Sequence, residues 1–293
     1  MTISAAMVKE LRERTGSGMM ECKKALVEAA GDLEAAVEIM RKAGLAKADK
    51  KSSRVASEGR VCVKLSADCK RGAVAEINCE TDFVAKADDF VEFADGVVQA
   101  IIDAAADSVE ALLGAKLASG VTIDERRREL VAKLGENINV RRFERFDAAT
   151  GINVSYLHGT RIGVLVELNS ADQTLGKDIA MHIAASKPIC VDESGVPAET
   201  IAKEKEIFTA QAEASGKPAN IIEKMVDGRV KKFLGEVTLV GQPFVKDPDQ
   251  TVGALLKAKG AAVARFVRFE VGEGIEKEES NFAEEVMAQV RGS

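Results

Sequence analysis

Chemistry in this chain would have to come from few residues. There are two histidines, His158 and His182, and five cysteines, Cys22, Cys62, Cys69, Cys79 and Cys190. No CxxC, HExxH or other tight ligand cluster occurs, so a catalytic zinc site is not expected. Cys62, Cys69 and Cys79 fall in or near apparent strands and read as buried structural thiols. His182 shares a helical stripe with Leu175, Ile179 and Ile183, which favours a satisfied core histidine over a general base. No phosphate-cradling GxxxxGKS/T loop and no GxSxG elbow is present. Gly272-Glu273-Gly274 continues into Ile275-Glu276-Lys277, which breaks the GxGxxG pattern.

The unusual residues are apolar ones in polar surroundings. Cys79-Glu80-Thr81-Asp82-Phe83-Val84-Ala85-Lys86 joins an apparent strand to a helix beginning near Asp88. Such a loop should be polar, yet it carries Phe83-Val84. Two readings stand at this point. Phe83 could tuck back under its own helix with Asp82 as N-cap, or it could be a partner-facing wedge oriented by the neighbouring acid. Met19-Met20 is a similar case, because adjacent side chains cannot both face one small core and Met suits adaptable surfaces.

The elements that must position these residues follow from periodicity. Ser4 caps a first helix ended by Thr15-Gly16, a second runs from Met19 to Ala29, and Asp32 caps a third that stops at Gly44. The polar, basic run from Lys47 to Arg54 reads as a linker or, less favoured, a nucleic-acid contact. From Gly59 the period becomes two: Val61, Val63 and Leu65 lead into a turn and a returning strand from Ala73 to Cys79. Phe90, Ala94, Val97, Val98 and Ile101 form a helical stripe, Asp124 to Leu134 a second helix, and Val140 to Phe146 another strand.

A second block echoes the first. Arg71–Asn78 and Thr160–Asn169 both place Gly before an apolar strand that ends in Glu, an aliphatic and Asn. The spacing of 91 residues is the same from Gly72 to Gly163 and from Asn78 to Asn169. That points to a duplication, the alternative being two unrelated amphipathic strands. Ala198 to Ala214 and Ala219 to Leu234 form a helical hairpin around Ser215-Gly216-Lys217-Pro218. It carries more apolar residues than two helices can cover for each other. Glu236 to Val240 alternates as a strand ended by Pro243. Val252, Leu255 and Leu256 mark a helix, Val263 to Val271 a strong strand, and Ser280 caps a last amphipathic helix bearing Phe282, Val286 and Val290.

Composition sets the class. The 293 residues carry a formal net charge of −6, with 46% hydrophobic and 30% charged residues. That describes a globular chain of about two domains, and argues against disorder or a general nucleic-acid binder. Aromatics are 4%, with Tyr156 the only tyrosine and no tryptophan, so a base-stacking platform is not expected. No run approaches a membrane span, and Lys9-Glu10 precedes any apolar run a secretory signal would need. An odd number of cysteines without a signal suggests reduced thiols and a cytoplasmic location.

At this point the residues resemble the bacterial elongation factor Ts family. The resemblance rests on VKELRERTGSGMMECKKAL, CETDFVAK, KLGENINVRR, YLHGTRIGVLVEL, IAMHIAASKP, GKPANIIEKMVDGRVKKF, GEVTLVGQPFV and RFEVGEGIEK, in order along nearly the whole chain. Ser108 to Gly120 fits the pattern least. The resemblance implies an α+β fold. Residues 1–54 would be a three-helix module like a ubiquitin-associated domain with its linker. Residues 55–146, and 147–187 with 236–275, would form two related antiparallel-sheet α+β subdomains. An antiparallel helical hairpin at 188–235 would be inserted in the second, and 276–293 would form a C-terminal helical module.

It also implies a function without covalent chemistry: binding elongation factor Tu carrying GDP, promoting GDP release, and remaining bound until GTP enters. Thr81, Asp82, Phe83 and Val84 would displace the Mg²⁺ of the partner's nucleotide site. Met19, Met20, Lys23, Leu134, Gly135 and His158 would contact the partner's nucleotide-binding domain and a second domain. No cofactor or metal of its own, no direct nucleotide or nucleic-acid binding and no membrane would be involved. A homodimer or heterotetramer could form through the hairpin. Two other classes remain open on the residues: a ribosome- or RNA-associated factor using the first 54 residues, which carry a net +3, and an α+β enzyme without a recognised motif.

Overall fold

A computed structural model describes residues 3–214 and 218–276. The hairpin tip at Ser215, Gly216 and Lys217 and the tail helix expected from Ser280 to Val290 lie outside these residues. Helices α1 (Ala5–Thr15), α2 (Met19–Glu28) and α3 (Leu33–Lys51) enclose a small core of Leu11, Cys22, Ala25, Leu26 and Ala36. Ser4 caps α1 by accepting from Met7 N at 3.3 Å, and Asp32 accepts from Ala35 N at 3.0 Å at the start of α3.

Gly44 does not stop α3. The helix continues to Lys51, so most of the expected linker is helical. Gly44 is buried, and a Cβ there would lie 3.2 Å from Ala132 Cβ. The missing side chain lets α3 pass close to another helix, a packing role that looks the same in sequence as a terminator.

The first sheet has the antiparallel order β1-β2-β3, with β1 Glu58–Leu65, β2 Arg71–Cys79 and β3 Asn139–Asp147. Between β2 and β3 come α4 (Asp82–Ala85), α5 (Asp88–Asp103), α6 (Val109–Leu113) and α7 (Ile123–Leu134). Phe90, Phe93, Val97 and Ile101 of α5 pack with Ile77, Leu112, Leu130 and Val131 on one face of this sheet. Ser108 caps α6 and Leu112 is fully buried, which gives the poorly matched 108–120 stretch a structural purpose. Cys69 sits in the turn between β1 and β2 with φ +57 and is only half-buried, not in a strand core.

The second sheet has the order β4-β5-β8, with β4 Ile152–His158, β5 Ile162–Leu168 and β8 Val263–Glu270. Between β5 and β8 lie α8 (Gln173–Ser186), the hairpin α9 (Ala198–Glu213) and α10 (Ala219–Val237), the short ladder of β6 (Pro243–Phe244) and β7 (Asp247–Thr251), and α11 (Val252–Ala258). The strand expected at Glu236–Val240 is not formed: α10 runs through Val237, and Thr238 makes only an isolated bridge to Cys190. Pro243 opens β6 instead of ending a run. No helix among the described residues is long and apolar enough to cross a membrane.

The 91-residue repeat has a physical basis. β2 and β5 are the central strands of their sheets. The ladder from β2 to β3 is irregular between Glu76 and Ile77, and that from β5 to β8 between Glu167 and Leu168, the same positions in the repeat. Glu76 pairs with Arg142 and Glu167 with Arg265 across these irregularities. The second one turns Val263 into the α8 side of the sheet while Phe269 and Val271 pack between the sheets. The repeated glycines mark the close approach of the two sheets. A Cβ on Gly72 would sit 2.7 Å from Leu165 Cδ1, and one on Gly163 would overlap Val61. Gly163→Ala should therefore cost about 1–3 kcal/mol by overpacking. A urea midpoint equal to the parent's would contradict this contact.

Candidate partner-binding site

β2 delivers the chain to a single helical turn. Thr81 is its N-cap, accepting from Val84 N at 3.4 Å. Asp82 is therefore the first helical residue and not the cap, and its carboxylate pairs with Lys86 Nζ at 2.6 Å. That hydrogen bond holds Asp82 below its ordinary pKa. Val84 is buried in the first core and anchors the turn from below, so its side chain does not face outward. Phe83 is 81% exposed, which rules out the tucked-under reading. Leaving such a ring in water forgoes roughly 1.5–3 kcal/mol of burial.

The other half of the molecule shows that the fold does not require an aromatic here. One repeat length on, Asp172 caps α8 by accepting from Leu175 N at 3.0 Å, and Leu175 is buried like Val84. The position matching Phe83 is Thr174, which is exposed. The same strand-to-helix entry forms with a small polar residue at its apex.

Three residues that sequence reasoning passed over hold the turn: Glu80, Glu136 and Asn137. Glu136 Oε2 accepts from Glu80 N at 3.1 Å and Thr81 N at 2.9 Å, and Oε1 accepts from Thr81 Oγ1 at 2.6 Å. Glu80 Oε1 in turn accepts from Asn137 N at 2.7 Å. Asn137 Nδ2 donates to Arg54 O at 2.7 Å and Ser52 O at 3.3 Å, beyond the end of α3. The signal was present only within the stretch KLGENINVRR; by residue type a lone Glu followed by Asn after a helix reads as a solvated turn.

Leu134 and Gly135 lead into this clamp. Leu134 is half-buried against the first core. Gly135 ends α7 at φ +84, a left-handed conformation that favours glycine, and its carbonyl accepts from Lys51 Nζ. Met19 and Met20 are 59% and 77% exposed, and Lys23 and Val27 are exposed on the same helix. Neither methionine serves the core of the three-helix module. The turn before α2 rests on α7: a Cβ on Gly16 would lie 3.1 Å from Lys133 Cε, and Lys133 pairs with Asp89 at 2.8 Å. His158 is exposed at the end of β4, with Nδ1 3.2 Å from Tyr156 Oη. Nearby Arg161 pairs with Glu58 at 2.6 Å, and Glu58 stands opposite Cys79 where β2 ends. The His158 turn and the Phe83 turn thus leave the same end of the paired sheets.

His182, Cys62 and Cys79 are structural. His182 is fully buried, with Nδ1 accepting from Val245 N at 3.1 Å and Nε2 2.9 Å from Gln242 Oε1. Burial lowers its pKa, and the acceptor role at Nδ1 requires the neutral ring. Burial pushes the Cys62 and Cys79 thiols up to about 12. Among the described residues no group of three His, Cys, Asp or Glu side chains is placed to hold a metal ion. What the arrangement offers is a surface: a braced aromatic apex, an exposed methionine pair and an exposed imidazole.

Residues 80–273 match the family described as Elongation factor TS. Over 293 residues, and the full length of both chains, the sequence is 73% identical to elongation factor Ts of Methylococcus capsulatus. It is 62% identical over 294 residues to that of Thioalkalivibrio sulfidiphilus and 64% identical over 293 residues to that of Alkalilimnicola ehrlichii, again with full coverage of both chains.

Proposed function

Since this chain belongs to the elongation factor Ts family, we propose that it binds elongation factor Tu carrying GDP and releases the nucleotide by disturbing the partner's Mg²⁺ and phosphate site. As a member of that family it is a translation elongation factor. The observation that carries the exchange mechanism is Phe83, exposed at the apex of a turn in which the adjacent Val84 is buried.

The mechanism is linkage. A factor that binds its partner better without GDP must weaken GDP by the same factor, and needs no contact with the nucleotide. Mg²⁺ bridges protein and phosphates in such sites, so displacing its ligands weakens diphosphate binding. Phe83 enters between packed elements of the partner, and Thr81 and Asp82 orient the entry by hydrogen bonds. Met19, Met20 and Lys23 hold one region of the partner and His158 another, so that the push from Phe83 is opposed by fixed contacts. The factor stays bound until GTP enters.

Residues 1–54 act as the partner-binding module, similar to a ubiquitin-associated domain. The regions 55–146 and 147–187 with 236–275 descend from one duplicated unit, a reading supported by the shared strand order and the equivalent ladder irregularities. Release of a fluorescent GDP analogue from elongation factor Tu tests the proposal, since an RNA-binding factor or an enzyme would leave that rate unchanged.

The hairpin serves assembly. Only Ala212 and Val226 are buried among its described residues, while Ile207 and Ile221 are exposed. Replacing residues 198–234 by a short Gly/Ser link should preserve core folding and some GDP release. It should change the mass seen by light scattering or the affinity for the partner. Unchanged mass together with unchanged affinity would remove this role.

A further inference from the structure

We infer that Glu136 is the positioning residue of the Phe83 turn, and that through Asn137 it fixes this turn relative to the end of α3. The inference rests on the role proposed for Phe83. A helix of four residues has no stability of its own, because nucleation is not recovered over one turn. The direction of Phe83 must therefore be imposed from outside α4. Val84 supplies one restraint by burial. Glu136 supplies the others: both carboxylate oxygens are engaged, and all three donors belong to Glu80 and Thr81.

The Thr81 hydroxyl shows how the restraint is transmitted. It has one proton and gives it to Glu136 at 2.6 Å, which leaves its lone pairs to receive Val84 N. Glu136 thereby sets the rotamer of the cap that sets the turn. Bonds to an ionised acceptor are shorter and stronger than neutral ones, as this distance reflects.

Glu136 is itself held. It directly follows Gly135, whose carbonyl receives Lys51 Nζ, and precedes Asn137, which is buried and grips the backbone at Arg54 and Ser52. The carboxylate of Glu80 closes the loop by receiving Asn137 N, with Arg54 at 3.6 Å. Three chain segments, the end of α3, the 135–137 corner and the start of α4, thus form one hydrogen-bonded unit. The exposed methionines of α2 belong to the same helical module as α3, so this unit sets the geometry between the two patches that meet the partner.

The test uses the full-length chain and the release of a fluorescent GDP analogue from elongation factor Tu. Five proteins are compared: the parent, Phe83→Ala, Glu136→Ala, the double variant of these two, and Thr81→Val. Loss of charge-assisted bonds to a turn predicts release about tenfold slower for Glu136→Ala, with circular dichroism unchanged. The double variant should be no slower than Phe83→Ala, because a misdirected ring and an absent ring are equivalent. Thr81→Val removes only the hydroxyl arm and should slow release less. It also serves as the probe if Glu136→Ala does not fold. If Phe83→Ala is slow while Glu136→Ala and Thr81→Val release GDP like the parent, or if the Phe83 and Glu136 effects multiply, the positioning role is wrong and the wedge reading survives. If Phe83→Ala itself behaves like the parent, the wedge reading fails and this inference with it.

Discussion

Phe83→Ala is expected to leave the fold standing and to slow GDP release from elongation factor Tu by at least about tenfold, the effect of losing one interface hot spot. The ring is exposed and contributes little to the first core, whose nearest support is Val84. Thr174, at the matching position of the second half, shows that a turn of this shape forms without an aromatic. Thermal stability should therefore change by no more than about 0.5 kcal/mol, as for surface substitutions generally. A sharp fall in melting temperature with unchanged release would make Phe83 a core residue. Val84→Ala should do the opposite, lowering stability by roughly 1–3 kcal/mol through loss of buried methyl groups.

The largest effect on stability is expected from Glu76. Its side chain is fully buried in β2, and it receives Gly272 N at 2.8 Å, Asn78 Nδ2 at 3.1 Å, Arg141 Nη1 at 3.0 Å and Arg142 Nε at 2.6 Å. Arg141 also donates to Glu273 O at 2.6 Å, so the network ties the first sheet to the segment after β8. Glu76→Ala would remove the buried anion that Arg141 and Arg142 share, leaving Arg142 only its longer contact to Glu273 at 3.4 Å and Gly272 N without its acceptor, at a cost of about 3 kcal/mol. Equilibrium urea unfolding reads this directly, and a midpoint near the parent's would mean the network contributes nothing.

The pH dependence of this site has a definite sign. Burial by itself would raise the Glu76 pKa, but the Gly272 N–H, the Asn78 amide and the Arg142 guanidinium outweigh it and hold the group below the ordinary 4.5. A carboxylate with a depressed folded-state pKa contributes stability that is present above its unfolded value and is lost as pH falls through the folded one. Glu270 behaves alike: hydrogen bonds from Lys187 and Arg268 bring it to about 2. The parent should lose stability as pH drops from 4.5 toward 2, and Glu76→Gln should show a shallower loss.

Legibility in the sequence followed the range of the interactions. The helical stripes of α1, α2, α5 and α8 were readable because each turns one face to a core, and β1 because Val61, Val63 and Leu65 line one side of the strand. β4 went unread because Asn153 is buried in the position of an apolar residue, where its amide donates to Lys70 O at 2.7 Å. Glu236 to Val240 imitated a strand because five residues do not separate a period of two from the last turn of a helix. Phe83 could be singled out since an apolar pair in a charged connection conflicts with its local context. Glu136 could not, because its donors are backbone and hydroxyl groups 55 and 56 residues away in the chain.

Under the proposed mechanism the chain weakens GDP by displacing the partner's Mg²⁺. The most direct test of that mechanism is the GDP dissociation rate from elongation factor Tu at saturating factor, measured with Mg²⁺ present and again after chelation. Acceleration should be large when Mg²⁺ is present and much smaller once Mg²⁺ has been removed, and Phe83→Ala should lose the difference between the two conditions. An acceleration equally large with and without Mg²⁺ would contradict the mechanism.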